Sequence, residues 1–166
     1  MLATIQFIES ICPVQDTTVV KQGAKDMLIA GLEDGTVGVM DLTASNGKSY
    51  KRPIFKMQGD GEDGHPDEQP HAQFIELSHE HEDAVVSVEA NMPTATKDSS
   101  PMILSASKDG LLYVWKLQEN NDEILKYVYD LDLQEPITKA KWLSETEIII
   151  ATTEGKVYRT ALKIDD

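Results

Sequence analysis

The amino-acid sequence predicts an all-β chain built from repeated hairpins, and three observations lead there. Short Ile/Leu/Val-rich runs flank acidic-Gly pairs, as in "PMILSASKDGLLYVWKL" at 101–117. Such runs read as strands joined by tight turns, because the Gly supplies backbone freedom and an Asp carboxylate caps neighbouring amides. The pattern also returns: "DMLIAGLEDGTVGVMDL" (26–42) aligns with it without a gap, and "TEIIIATTEGKVYRTAL" (146–162) aligns with one residue removed from its front half. Finally, no 3.6-residue periodicity of helical length interrupts these segments.

The turns fall at Asp34-Gly35, Asp109-Gly110 and Glu154-Gly155, each followed by an apolar residue three places after the acid: Val37, Leu112 and Val157. A lone hairpin is marginal in water, so each copy must stack on others. Further strands are expected around them. "ATIQFIES" (3–10) precedes the first hairpin, and the alternation of "HEDAVVSVEA" (81–90) precedes the second. "ILKYVYDLDL" (124–133) follows the second hairpin, and "ITKAKWLSE" (137–145) leads into the third with Ile137, Ala140 and Trp142 inward. Tyr113 and Tyr158 sit four residues past their turn acids, a placement that favours a shared packing role over a ligand cage.

This order of strands, and above all the second copy, resembles the WD-repeat family of β-propellers. "HEDAVVSV" resembles the segment that links the outer strand of one blade to the inner strand of the next, and "SASKDGLLYVW" resembles the middle hairpin, with Trp115 six residues after Asp109. The resemblance implies four-stranded antiparallel blades and a hydrogen-bonded structural network of His81, Ser107, Asp109 and Trp115. A Trp indole only donates, a carboxylate only accepts, and a His can relay between them. The other copies depart from this pattern. Met40 stands at the Trp position of the first, although Asp41 keeps the second half of the signature dipeptide. The third has Glu154 for the turn Asp and Thr160 for the Trp.

A blade takes roughly 40 to 45 residues. Asp109 to Glu154 is one period of 45 residues, and Asp34 to Asp109 is 75, which leaves room for polar insertions at 58–71 and 91–100. The expected organisation is therefore a first blade at about 1–57, an acidic loop at 58–72, a second blade at about 73–133 and a partial third at about 134–166. Closed propellers use about 4 to 8 blades, so three leave an incomplete ring with unpaired edges. Cover can come from a longer version of the same chain, from a complementing chain, or from a second copy in a homodimer.

The net charge of −14 argues against direct nucleic-acid binding, which needs cations to displace counterions, and permits basic protein partners. No apolar run approaches the roughly 20 residues of a membrane span, and no secretory signal opens the chain. Cys12 is the single cysteine, so no internal disulfide can form, and a cytoplasmic or nuclear setting is expected.

Residues 57–96 hold ten acids, no Lys or Arg, and all four histidines, His65, His71, His79 and His81. This span supports two readings. Its acids Asp60, Glu62, Asp63, Asp67 and Glu68 form a solvated loop able to dock a basic segment. Alternatively, the His/acid-rich insertion at 60–83 holds a metal ion for an enzyme. The spacing matches no metalloenzyme or calcium-loop motif, and no nucleophile elbow or phosphate-cradling glycine loop is present. The expectation is thus a non-catalytic protein–protein interaction scaffold without cofactor or metal.

Overall fold

The computed structural model describes residues 12–43, 76–91, 100–118 and 124–162, and all of their regular structure is β. Eleven strands form three antiparallel sheets among the described residues. The first sheet runs in the order β1 (Val14–Gln22), β2 (Lys25–Leu32), β3 (Val37–Asp41) and β4 (Glu76–Ser78). The second runs β5 (Val85–Asn91), β6 (Met102–Ser107), β7 (Leu111–Leu117) and β8 (Leu125–Asp132). The third has β9 (Ile137–Trp142), β10 (Glu147–Thr152) and β11 (Val157–Ala161). No helix among the described residues is long and apolar enough to cross a membrane.

The registers make the three sheets copies of one unit. Gly31 faces Val37 in the first, Ala106 faces Leu112 in the second, and Ala151 faces Val157 in the third. These pairs align the third hairpin with the others with no residue removed, so the sequence alignment above is corrected. The first strand of each sheet bulges at one place: between Val14 and Asp16, between Val85 and Ser87, and between Ile137 and Lys139. Beside each bulge one backbone bond recurs, from Glu33 N to Pro13 O, Lys108 N to Ala84 O, and Thr153 N to Pro136 O.

Two expectations about boundaries change. The strand that leads into the first hairpin is Val14–Gln22, while "ATIQFIES" lies outside the described residues. Its polar content, Gln15, Asp16, Thr17 and Thr18, hides it from a search for apolar runs. The fourth strand of the first sheet is Glu76–Ser78, so residues 76–78 belong to the first sheet, although they follow the acidic segment. Three residues carry too little hydrophobic alternation to show which neighbour they join.

The sheets stack face to face. Met27, Ile29, Val37 and Val39 of the first pack with Val85, Ile103, Trp115 and Leu117 of the second in one cluster. Leu104, Leu112 and Val114, on the other face of the second sheet, meet Ile137, Ala140, Ile148 and Ile150 of the third. Strict alternation along β6 and β7 allows both faces to be apolar, since neighbouring side chains point to opposite sides.

Candidate functional site

Two features stand out: a buried polar relay in the second sheet, and the uncovered face of the third. The relay begins at Trp115 on β7, whose Nε1–H donates to Ser105 Oγ at 2.9 Å. The same hydroxyl lies 2.9 Å from His81 Nε2. A carboxylate only accepts, so Asp109 beside Nδ1 favours the imidazole proton there, which leaves Nε2 to accept from the Ser105 hydroxyl while that hydroxyl accepts from the indole. Nδ1 lies 3.4 Å from Asp109 Oδ2, an ion-pair distance, but out of hydrogen-bonding alignment. Asp109 is instead held by the turn, where Oδ1 accepts from Leu111 N at 2.7 Å and Oδ2 from Glu82 N at 2.9 Å. Burial pushes the imidazole of His81 below its ordinary value, against the opposing pull of the Asp109 carboxylate, so the ring is neutral.

The structure therefore brings together His81, Asp109 and Trp115 with Ser105, and not with Ser107. Ser107 Oγ donates to Asp83 O at 2.7 Å and accepts from Asp109 N at 3.2 Å, which makes it a turn residue. The register explains the difference. Trp115 is paired with Ile103, so Ser105 is two residues away along β6 and Ser107 four. Each two-residue step moves a side chain by about 6.6 Å, beyond the reach of an indole. Strand register was the signal that would have found Ser105.

The three turns share a backbone form and differ in surroundings. Gly35, Gly110 and Gly155 have φ of 86°, 91° and 78°, a region that side chains of L-residues rarely enter. Asp34 accepts from Thr36 N at 3.0 Å, the counterpart of Asp109 and Leu111, whereas Glu154 pairs with Lys156 Nζ at 2.9 Å. Thr36 Oγ1 also lies 2.7 Å from His79 Nδ1, so His79 and His81 have separate partners and do not share one site. Among the described residues no three His, Cys, Asp or Glu side chains converge as metal ligands. His65, His71, Asp60, Glu62, Asp63, Asp67 and Glu68 lie outside the described residues.

A ladder of side chains joins the innermost strands. Asp16 Oδ2 accepts from Val88 N at 3.1 Å and Thr18 Oγ1 from Ala90 N at 3.4 Å. One sheet on, Ser87 Oγ accepts from Ala140 N at 3.2 Å and Glu89 Oε2 from Trp142 N at 2.6 Å. Lys139 and Lys141 occupy the corresponding positions of β9, where they reach back to Asp16 at 2.6 Å and Glu89 at 4.0 Å. Asp16, Thr18, Glu89, Lys139 and Lys141 line an open groove of about 190 Å³ in which the opposite charges lie in pairs. None of this ladder was legible in the sequence, because it depends on the bulge that aims positions 16, 87 and 139.

The third sheet differs from its copies in exposure. Val37 and Leu112 are fully buried, and Val157 at the same position is 66 % exposed. Ile29 and Leu104 are likewise buried, and their counterpart Ile149 is 38 % exposed. Tyr113 and Tyr158, equivalent in register, also differ: Tyr113 meets the His81 ring edge-on with centroids 4.8 Å apart, while Tyr158 donates to Glu135 Oε1 at 2.6 Å.

No protein-family model matches this chain, and a search of the curated proteins finds no significant match.

Proposed function

We propose that the three sheets are successive blades of a WD-repeat-like β-propeller portion, and that the chain is a non-catalytic platform on which other protein chains assemble. The observation that carries this reading is the contrast between buried Val37 and Leu112 and exposed Val157. A repeat unit buries its face against the next unit, and a unit with nothing beyond it leaves that face for a partner. The hydrogen-bonded His81–Ser105–Trp115 relay and the inter-sheet ladder support the same reading, since both stiffen the sheets that would present the surface. The two hydroxyls that lie against an imidazole among the described residues, Ser105 and Thr36, are themselves fully buried, so we read these polar groups as holding structure. The incomplete ring is completed by a second copy or by another chain, and the acidic segment 58–72 adds an attraction for basic segments. A cytoplasmic or nuclear setting fits a chain with a single cysteine, Cys12.

Light scattering of the purified chain over a range of concentrations tests the platform. The expected result is a molar mass that rises above that of one chain, because the third sheet finds cover. A constant mass of 18.4 kDa at every concentration overturns completion by a second copy.

A further inference from the structure

The residues that follow the three bulges, Asp16, Ser87 and Lys139, are equivalent by register, and so are Thr18, Glu89 and Lys141 two places on. In the first two sheets these side chains accept a backbone N–H of the next inner strand. Asp16 takes that of Val88, Thr18 that of Ala90, Ser87 that of Ala140 and Glu89 that of Trp142. An ammonium only donates, so Lys139 and Lys141 cannot repeat the step. They turn back instead, and Lys139 reaches past β5 to Asp16 Oδ2 at 2.6 Å. The same oxygen accepts from Val88 N at 3.1 Å. One carboxylate of the first sheet therefore holds the backbone of the second and a side chain of the third.

The apolar contacts have a shorter reach. One cluster joins the first sheet to the second, and the other joins the second to the third. A stack held only in that way has a stability that sums its units and its nearest-neighbour interfaces. The Asp16–Lys139 pair adds a contact of another kind, because it ties the first unit directly to the third. Its side chains are 46 % exposed on Lys139 and 23 % on Asp16, so salt screens the attraction. Lys141 offers an internal comparison. It lies 4.0 Å from Glu89, a residue of the neighbouring sheet, and spans no intervening unit.

We infer that Asp16 and Lys139 form a clasp that couples the opening of the first sheet to that of the third, and that salt loosens it. The clasp lies within one chain, so it goes beyond the platform reading and does not depend on it. Coupling of this kind is reciprocal: whatever the loss of Lys139 does to the first sheet, the loss of the Asp16 charge does to the third.

Native-state amide hydrogen exchange of the full chain tests this in Lys139→Met, Asp16→Asn and the double variant. Asn keeps an oxygen that can accept from Val88 N, so Asp16→Asn removes chiefly the charge. Lys139→Met should speed exchange of the paired amides of β1 and β2 about threefold, the scale of one partly exposed ion pair. Asp16→Asn should speed those of β10 and β11 by the same factor, and the double variant should exceed neither single one. Lys139→Arg should keep the original rates, Lys141→Met should leave β1 and β2 unchanged, and 1 M sodium chloride should shrink the differences. Circular dichroism melts check that every variant folds. An effect of Lys139→Met confined to β9–β11, factors that multiply in the double variant, or differences undiminished by salt would overturn the clasp.

Discussion

Trp115 Nε1 donates to Ser105 Oγ at 2.9 Å inside the second sheet, where Trp115 is 3 % exposed and Ser105 fully buried. This contact fixes the indole against the first sheet, and because the same hydroxyl bonds His81, Ser105 joins both partners of the relay. An Ala at position 105 orphans both the Trp115 donor and His81 Nε2. Ser105→Ala should therefore cost about 2–3 kcal/mol, and Ser107→Ala, whose two lost bonds go to part-buried groups of the turn, about 1 kcal/mol. Urea denaturation of the two variants gives the comparison, and equal losses would remove the distinction between them.

The relay also sets a pH dependence. His81 is held below its ordinary value, chiefly by burial, so the unfolded chain binds its proton first as pH falls. Stability from this group is complete above pH of about 6.5 and is lost as the pH drops from there towards the folded value. Melting temperature should fall between pH 7.5 and 5, and the slope should flatten in His81→Gln. An unchanged slope would place the titrating group elsewhere.

The three turn glycines should rank by what surrounds them. All have positive φ, so an Ala costs about 1 kcal/mol in strain at each. Gly35→Ala adds a collision with His81 O at 2.3 Å and Gly110→Ala a tight approach to Glu135 O at 3.0 Å, while Gly155→Ala meets open space. Chemical denaturation should give losses in the order Gly35, Gly110, Gly155. A loss at Gly155 as large as at Gly35 would mean that the third turn is covered.

Equivalent positions should likewise respond unequally to charge. Val157→Lys should leave stability within about 0.5 kcal/mol, whereas Val37→Lys buries an unpaired ammonium and should cost more than about 4 kcal/mol. The same Val157→Lys chain should lose the concentration-dependent increase in mass. Circular dichroism melts with light scattering on one preparation read both effects.

The strands of the hairpins were legible because β6, β7 and β10 alternate or run apolar between glycine turns; Leu125–Asp132 and Ile137–Trp142 fall inside the segments expected for them, and Val85–Asn91 overruns its expected segment by one residue. What escaped lies in places where hydrophobicity is silent. β1 carries Asp16 and Thr18 because their side chains bond the next sheet, so its polar residues are structural and disguise it. Ser105 and Ser107 differ only in register, which the composition of a strand does not encode. Lys139 and Lys141 look like surface lysines in the sequence. Only the stacking of β9 beside β5 brings Lys141 to Glu89, and only the bulges bring Lys139 to Asp16.

Hydrogen exchange of the isolated chain tests the central claim most directly, that three copies of one unit are stacked and only the third is open. Alternate amides of Val157–Ala161 should exchange orders of magnitude faster than those of Val37–Val39 and Leu112–Lys116, which are locked between neighbours on both sides. Uniformly slow exchange along β11, matching β3 and β7, would contradict the account, because it would mean that the outer edge of the third sheet is already paired.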